Sequence, residues 1–282
     1  KMLSKEVATT LGGRFFIYDA YPYSFKEYLA AQQVELKEHW EYDTIQRSEV
    51  KRHLNEYFYY GGLPEILSFK NKRAMLSSLY QKIYLGDICA RNNIKNDRVL
   101  NILIKKMAES VKQPLSYNRL KNVIVATGSP ISVPTTIDYV DYASDSWLIL
   151  PMENEVGKLT EKEMQKKYYF VDNGLLNLFL MNSETSLLEN MVAVELCRRF
   201  GKKNVFFLNA EKEIDFIVPD EKLAIQVSYS IKDETTYNRE VPPLAKYAKA
   251  HEDWKCLLIT YDEEGTEEGI PVVPVWKWLM EA

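Results

Sequence analysis

Glu213-Ile214-Asp215-Phe216-Ile217-Val218-Pro219-Asp220-Glu221-Lys222-Leu223-Ala224-Ile225-Gln226-Val227-Ser228-Tyr229 decides how the C-terminal third is read. Two runs rich in β-branched and aromatic residues, 213–218 and 223–229, flank a Pro-Asp-Glu-Lys turn, which predicts two adjacent strands. Upstream, Leu188, Met191, Val192 and Leu196 recur at helical spacing over about 184–200, and Asn204–Leu208 reads as a strand. Downstream come a helix near 237–250 and strands over Cys256–Thr260 and Pro271–Val275. Residues 172–282 are therefore expected to form an α/β domain.

Residues 93–171 have another rhythm. Val99, Leu100, Leu103, Ile104, Met107 and Val111 predict a helix that stops before Pro114. Ser116 heads a second helix with Leu120, Val123 and Ile124, closed by Gly128, and Ser132 heads a third with Ile137 and Val140 inward. Trp147–Leu150 and Tyr168–Val171 then read as paired strands. Three short helices followed by a two-stranded wing predict a winged helix-turn-helix.

Residues 1–92 read as mainly helical. Arg14–Tyr18 is expected to be a short strand. Ser24, with Glu27 three residues on, predicts a capping box for a helix carrying Phe25, Tyr28 and Leu29. Val50, Leu54, Tyr57 and Phe58 fall on one helical face that Gly61-Gly62 and Pro64 terminate, and Met75, Leu76, Leu79 and Ile83 mark a further helix. Tyr57, Tyr59 and Tyr60 are read as packing around that turn.

The 282 residues are 46% hydrophobic and 27% charged with a net charge of −4, an ordinary globular composition in which any nucleic-acid footprint must be local. No run approaches the roughly 20 apolar residues of a membrane span, and the first residues show no signal peptide. Cys89, Cys197 and Cys256 are widely separated without a C-x-x-C pair, so buried thiols in a reducing cytoplasm are expected. No G-x-x-x-x-G-K-[ST] loop occurs: Met152 and Leu196 stand where the first glycine would precede the two Gly-Lys pairs. The chain alone is not expected to hydrolyse a nucleotide.

Several stretches, in order, resemble one family. Lys1–Glu6 through Leu11-Gly12-Gly13-Arg14 is similar to the segment after the sensor strand of a bacterial AAA-type ATPase. Tyr21–Leu29, Gly61-Gly62-Leu63-Pro64-Glu65, Asp172-Asn173-Gly174-Leu175 and Glu213-Ile214-Asp215-Phe216 resemble later signatures of prokaryotic AAA-type P-loop ATP-binding proteins with a C-terminal domain of unknown function. The resemblance implies an ATPase core before Lys1, so the chain is expected to be a fragment. It also implies the end of the AAA-type module with a helical lid-like segment over 1–92, a winged helix over 93–171 and a restriction-endonuclease-like domain over 172–282. The expected fold class is thus mixed α and α/β.

That last domain implies a Mg²⁺ site. Asp215 fits the strand carboxylate and is the candidate metal ligand, with Glu189 or Glu195 from the preceding helix beside it. The next strand should read Glu-x-Lys but reads Gln226-Val227-Ser228. Gln226 and Ser228 share a face, since strand side chains alternate, yet serine cannot replace a cation. Lys222 lies four residues earlier on that face, roughly 13 Å along the strand, too far to substitute. The set Glu189, Asp215, Gln226 and Ser228 is therefore expected to be degenerate and non-catalytic.

For DNA, the third helix of the wing unit carries Asp138, Asp141 and Asp145, which repel phosphates. Lys105, Lys106, Lys112, Arg119 and Lys121 are the expected contacts, with Thr135 and Thr136 near phosphate. Arg14 is expected either to reach a neighbouring nucleotide as an arginine finger or, the favoured reading, to form a salt bridge. Arg198, Arg199, Lys202 and Lys203 complement a helix C-terminus. The expected function is that of the non-catalytic C-terminal part of an AAA-type ATP-binding protein, a DNA- or protein-binding regulatory module in the cytoplasm. The alternatives are a Mg²⁺-dependent nuclease with a rearranged site and an interaction scaffold. No cofactor is expected for this chain, ATP and Mg²⁺ belonging to the missing core. The expected partners are weakly bound DNA, a protein or a second copy of the chain.

Overall fold

A computed structural model describes residues 18–210 and 213–281. Its helical N-terminal part opens with α1 (Phe25–Ala31), where Ser24 accepts from the Glu27 N–H and Glu27 from the Ser24 N–H, the reciprocal cap read from sequence. Helix α2 (Thr44–Tyr60) buries Val50, Leu54, Tyr57 and Phe58 and ends at Gly61, whose φ of 75° suits a residue without Cβ. Helix α3 (Lys72–Gln81) runs on into a π-helical stretch, Lys82–Ala90, which periodicity at 3.6 does not anticipate. The expected strand at Arg14–Tyr18 and residue Arg14 itself fall largely outside the described residues, and Tyr18 is in no strand.

The middle part contains α4 (Asp97–Glu109), β1 (Leu115–Ser116), α5 (Tyr117–Ala126), α6 (Val133–Asp145), β2 (Ile149–Met152), α7 (Leu159–Met164) and β3 (Gln165–Phe170). Ser116 and Ser132 cap α5 and α6 through the N–H groups of Arg119 and Thr135. Strands β2 and β3 pair antiparallel with Ile149 opposite Phe170, and β1 adds to β3, giving a three-stranded sheet of order β1-β3-β2.

The C-terminal part comprises α8 (Asn173–Asn177), α9 (Glu184–Phe200), β4 (Phe206–Asn209), β5 (Glu213–Val218), β6 (Leu223–Ser228), α10 (Glu234–Ala250), β7 (Lys255–Thr260), β8 (Gly265–Glu267), β9 (Ile270–Pro274) and α11 (Val275–Trp278). Its six-stranded sheet has the order β4-β5-β6-β7-β9-β8. Strands β4, β5 and β6 are antiparallel, β6-β7-β9 parallel, with α10 as the crossover between β6 and β7. Strand β8, absent from the sequence reading, closes on β9 through Glu268 and Gly269, both at positive φ, as a tight two-residue hairpin requires.

Apolar alternation splits the sheet between two cores. Phe216, Val218, Ile225, Val227, Leu257 and Ile259 join a large cluster that includes α9 and extends through the helices to Phe25. Ile214, Ile217, Ala224, Cys256, Leu258 and Val272 pack instead with Val241, Leu244 and Ala245 of α10. The change of side between Ile214 and Phe216 follows from a bulge. Phe206 pairs with Ile217 but Leu208 with Ile214, so β5 holds one extra residue, which re-aims its neighbours. The bulge lies at Asp215.

Candidate functional site

Asp215 leaves the hairpin ladder where the bulge frees it. Phe216 still pairs with Ile225, but at the next level side chains replace backbone partners. The Asp215 N–H donates to Gln226 Oε1 at 3.2 Å, and the Val227 N–H donates to Asp215 Oδ2 at 3.0 Å. The second oxygen, Oδ1, meets Lys167 Nζ at 3.3 Å. Lys167 comes from β3 of the other sheet, is fully buried, and also reaches Glu189 Oε1 at 3.2 Å and Glu213 Oε1 at 3.0 Å. Tyr169, two residues along the same face of β3, donates to Glu189 at 2.8 Å. The ring of Phe207, opposite the bulge, lies 5.6 Å from the ammonium and forms an apolar wall.

Three carboxylates thus share one ammonium. Burial works against the Lys167 charge, yet Glu189, Asp215 and Glu213 outweigh it and hold the amine above the ordinary lysine range. Burial and then Glu189 push the Asp215 carboxyl up to about 8, against the opposing pull of Lys167. The upward direction has a simple cause: one ammonium cannot neutralise three carboxylates in a desolvated site, and a proton on Asp215 relieves the excess.

Gln226 turns the other way, donating from Nε2 to Glu240 Oε2 of α10 at 2.5 Å. Glu240 in turn accepts from Arg239, with Nη2 at 2.5 Å. Ser228 donates to the Ser230 carbonyl. Glu189, Glu213, Asp215, Gln226, Ser228 and Glu240 all line one cleft of about 500 Å³, whose rim includes Lys112, Arg239 and Tyr229.

The expected set Glu189, Asp215, Gln226 and Ser228 is therefore brought together. Glu195 is not part of it: its buried carboxylate binds Arg198 and Arg199, which anchor on the Pro22 and Trp278 carbonyls. Lys222 is exposed and pairs with Asp253. Sequence reasoning missed Lys167, Glu213 and Glu240. The first carried a faint signal, a lysine two positions from Tyr169 at the start of the apolar run Tyr168–Phe170. A divalent cation does not fit the site as it stands. Lys167 already fills the centre of the carboxylates, and no three His, Cys, Asp or Glu side chains among the described residues are grouped to hold an ion.

The expected DNA contacts differ in exposure and in their partners. Lys105 and Arg119 are exposed and Lys121 is half-buried, whereas Lys106 pairs with Glu109 and Lys112 donates to Thr185 Oγ1 at 3.0 Å. Thr136 corrects the expectation: it is fully buried, its hydroxyl donating to the Ser132 carbonyl, so it faces no phosphate. Thr135 keeps its hydroxyl within 2.8 Å of the capping Ser132. The three cysteines are free and buried, as expected. No helix of the described residues is long and apolar enough to cross a membrane.

The two glycine-rich motifs meet in a second buried site. Asp172 accepts from the N–H groups of Gly62 at 2.8 Å, Gly174 at 2.8 Å and Leu175 at 3.2 Å. Burial pushes its carboxyl up to about 6, the backbone donors opposing. Asn173 donates to the carbonyls of Phe58 and Leu187, and Asn190 bridges Asn173 and both polar groups of the Phe170 backbone. These residues join the end of α2 to β3 and α9; they are architecture rather than a binding site.

The architecture is that of a mixed α/β protein with two sheets and a polar cleft between α9 and α10. Residues 51–186 match a domain of unknown function, DUF8612. An uncharacterised protein of Methanocaldococcus jannaschii is 32% identical over 99% of this chain and 67% of its own length. An uncharacterised protein of Haemophilus influenzae is 31% identical over 99% of this chain and 68% of its own. The chain belongs to the family that these two proteins represent. No solved structure matches it.

Proposed function

We propose that the chain is a non-catalytic regulatory module, the C-terminal part of an AAA-type ATP-binding protein, that binds DNA weakly. The observation carrying this reading is the fully buried Lys167 ammonium among Glu189, Glu213 and Asp215, where a nuclease would place its metal. The order α4-α5-α6 followed by the β2-β3 hairpin supports a winged helix over the middle part. The order α9-β4-β5-β6-α10-β7, with an antiparallel triplet and one parallel neighbour, supports a restriction-endonuclease-like domain. Exposed Lys105 and Arg119 supply local positive charge on a chain of net −4.

An electrophoretic shift series in salt, run beside a Mg²⁺-dependent cleavage assay, tests the reading. The expected result is a salt-sensitive shift whose slope falls by about 1 for each phosphate-contacting cation replaced, without cleavage. Cleavage that disappears in Asp215→Asn would overturn it in favour of the second reading, a nuclease with a rearranged site. Glu240 favours that alternative, since it sets a carboxylate 2.5 Å from Gln226, where the strand itself lacks one. Absence of any shift at low salt would leave a protein-interaction scaffold.

A further inference from the structure

The cleft of about 500 Å³ falls within the volume range of small-molecule sites. Its inner carboxylates, Glu189 and Asp215, are already engaged by Lys167, so an incoming cation gains little there. The rim has a different chemistry. Lys112, just beyond α4, gives one N–H to the neutral Thr185 hydroxyl at 3.0 Å. Arg239 of α10 gives Nε and Nη2 to Glu240 at 2.7 and 2.5 Å, leaving further guanidinium N–H groups for a ligand. The cleft also has an aromatic wall. Tyr229 and Tyr261 directly follow β6 and β7, and the parallel pairing of Ser228 with Thr260 sets their rings side by side, stacked at 4.8 Å and 22°. Tyr229 lines the cleft and is half-buried. The crevice beyond the carboxyl ends of parallel strands is where α/β sheets hold ligands.

We propose that this cleft holds a nucleotide, its base stacked on Tyr229 and its phosphate on Lys112 and Arg239. A planar, uncharged base suits a pocket whose inner charges are already matched from the protein side, and the inner carboxylates keep the phosphate at the rim. Glu213 lines the same cleft with its carboxylate nearly half exposed. An ionised carboxylate only accepts hydrogen bonds, so it favours a base with an exocyclic amino group, such as cytosine, over thymine, which carries a carbonyl in that place. The same chemistry is offered by a free mononucleotide and by an unpaired base of a DNA strand. The second source rests on the DNA-binding reading, and it makes single-stranded DNA the preferred form, since a paired base must first leave its stack.

The test is calorimetric titration of the full chain with deoxycytidine monophosphate, thymidine monophosphate and inorganic phosphate. Beside it, single-stranded and duplex oligonucleotides carrying 2-aminopurine are titrated by fluorescence. The cytidine nucleotide should bind more tightly than the thymidine nucleotide, and phosphate alone should give no measurable heat. Quenching of the single strand places a strand base in the cleft, whereas binding of the mononucleotide without quenching places a free nucleotide there. Tyr229→Ala should weaken the interaction about tenfold, Tyr229→Phe should restore it, and Lys112→Ala should reduce its salt dependence. Thermal melts of each variant confirm that it folds, and Lys112→Ala carries the test if Tyr229→Ala does not. Neither nucleotide binding nor quenching, with the salt-sensitive DNA shift intact, overturns the inference and leaves the DNA reading standing. Nucleotide binding without any DNA shift supports the inference and removes that reading. Variants that bind like the wild type, or a cleft that takes an oligolysine peptide but no nucleotide, also overturn it.

Discussion

Lys167 Nζ lies 3.3 Å from Asp215 Oδ1, although one residue belongs to the three-stranded sheet and the other to the six-stranded sheet. The pair is buried, and Glu189 and Glu213 add surplus negative charge around it. Truncating one member of a buried ion pair typically costs about 3–5 kcal/mol, because the remaining charge is left uncompensated. Lys167→Met should fall in that range in urea unfolding. Lys167→Met/Asp215→Asn should cost at least about 1 kcal/mol less than the sum of the single variants, as expected for coupled neighbours. Strict additivity would show that the contact carries no energy.

The raised Asp215 carboxyl sets a pH dependence of defined sign. Its folded value near 8 lies above the unfolded value, so the folded state binds the proton more tightly. The stabilisation is complete below about pH 4, the unfolded carboxyl range, and is lost as pH rises toward the folded value. Unfolding free energy of the wild type should therefore carry a component that declines across that window. Asp215→Asn, which cannot titrate, should flatten it. A wild type and variant with parallel pH profiles would contradict the assignment.

Asp172 ties three buried backbone donors at the meeting of α2, α8 and β3. Leaving a buried donor unsatisfied costs about 1–3 kcal/mol, so Asp172→Ala should destabilise by at least about 3 kcal/mol in chemical denaturation. Gly61→Ala should be similarly severe, since a Cβ there would stand 2.1 Å from Asp172 Oδ1 and φ is already 75°. Both effects concern folding, so binding measured on the surviving folded fraction should be unchanged.

Glu195 should behave as an anchor. It holds Arg198 and Arg199, which reach the Pro22 and Trp278 carbonyls and so join α9 to both ends of the described chain. Glu195→Ala leaves two guanidinium groups without their carboxylate and should cost about 3 kcal/mol, readable as a lowered urea midpoint.

Thr136 and Arg119 separate packing from DNA contact. Thr136→Val removes a buried hydroxyl bond and should cost about 1 kcal/mol of stability, leaving DNA retention as it was. Arg119→Glu should do the reverse, weakening the low-salt shift without altering the melt. Equal effects of both variants on DNA would displace the contact surface from the α5 side.

The local sequence carried most of the elements. The Ser24/Glu27 cap, the end of α2 at Gly61, the serine caps of α5 and α6, and the bounds of α9 and β5 all follow from residues within one or two turns of each other. The misses share a cause. The π-helical run 82–90 breaks the 3.6 period, and β8 is three residues long and defined by its partner. Thr136, near the start of its helix, has the position of a phosphate contact in the sequence, but helix phase and the packing of α6 turn it inward.

The sequence by itself determined that Gln226 and Ser228 lack the charges a Mg²⁺ nuclease places on that strand, and that Asp215 sits on the preceding one. Only the tertiary structure decided which charges meet there: the Lys167 ammonium from β3, and the further carboxylates of Glu213 from beside the bulge and Glu240 from α10. A strand's period fixes the face of a side chain, and a bulge or a second sheet then fixes what it meets. Lys167 and Asp215 are 48 residues apart, and no local pattern encodes their separation of 3.3 Å, which arises from the docking of two sheets on one continuous core.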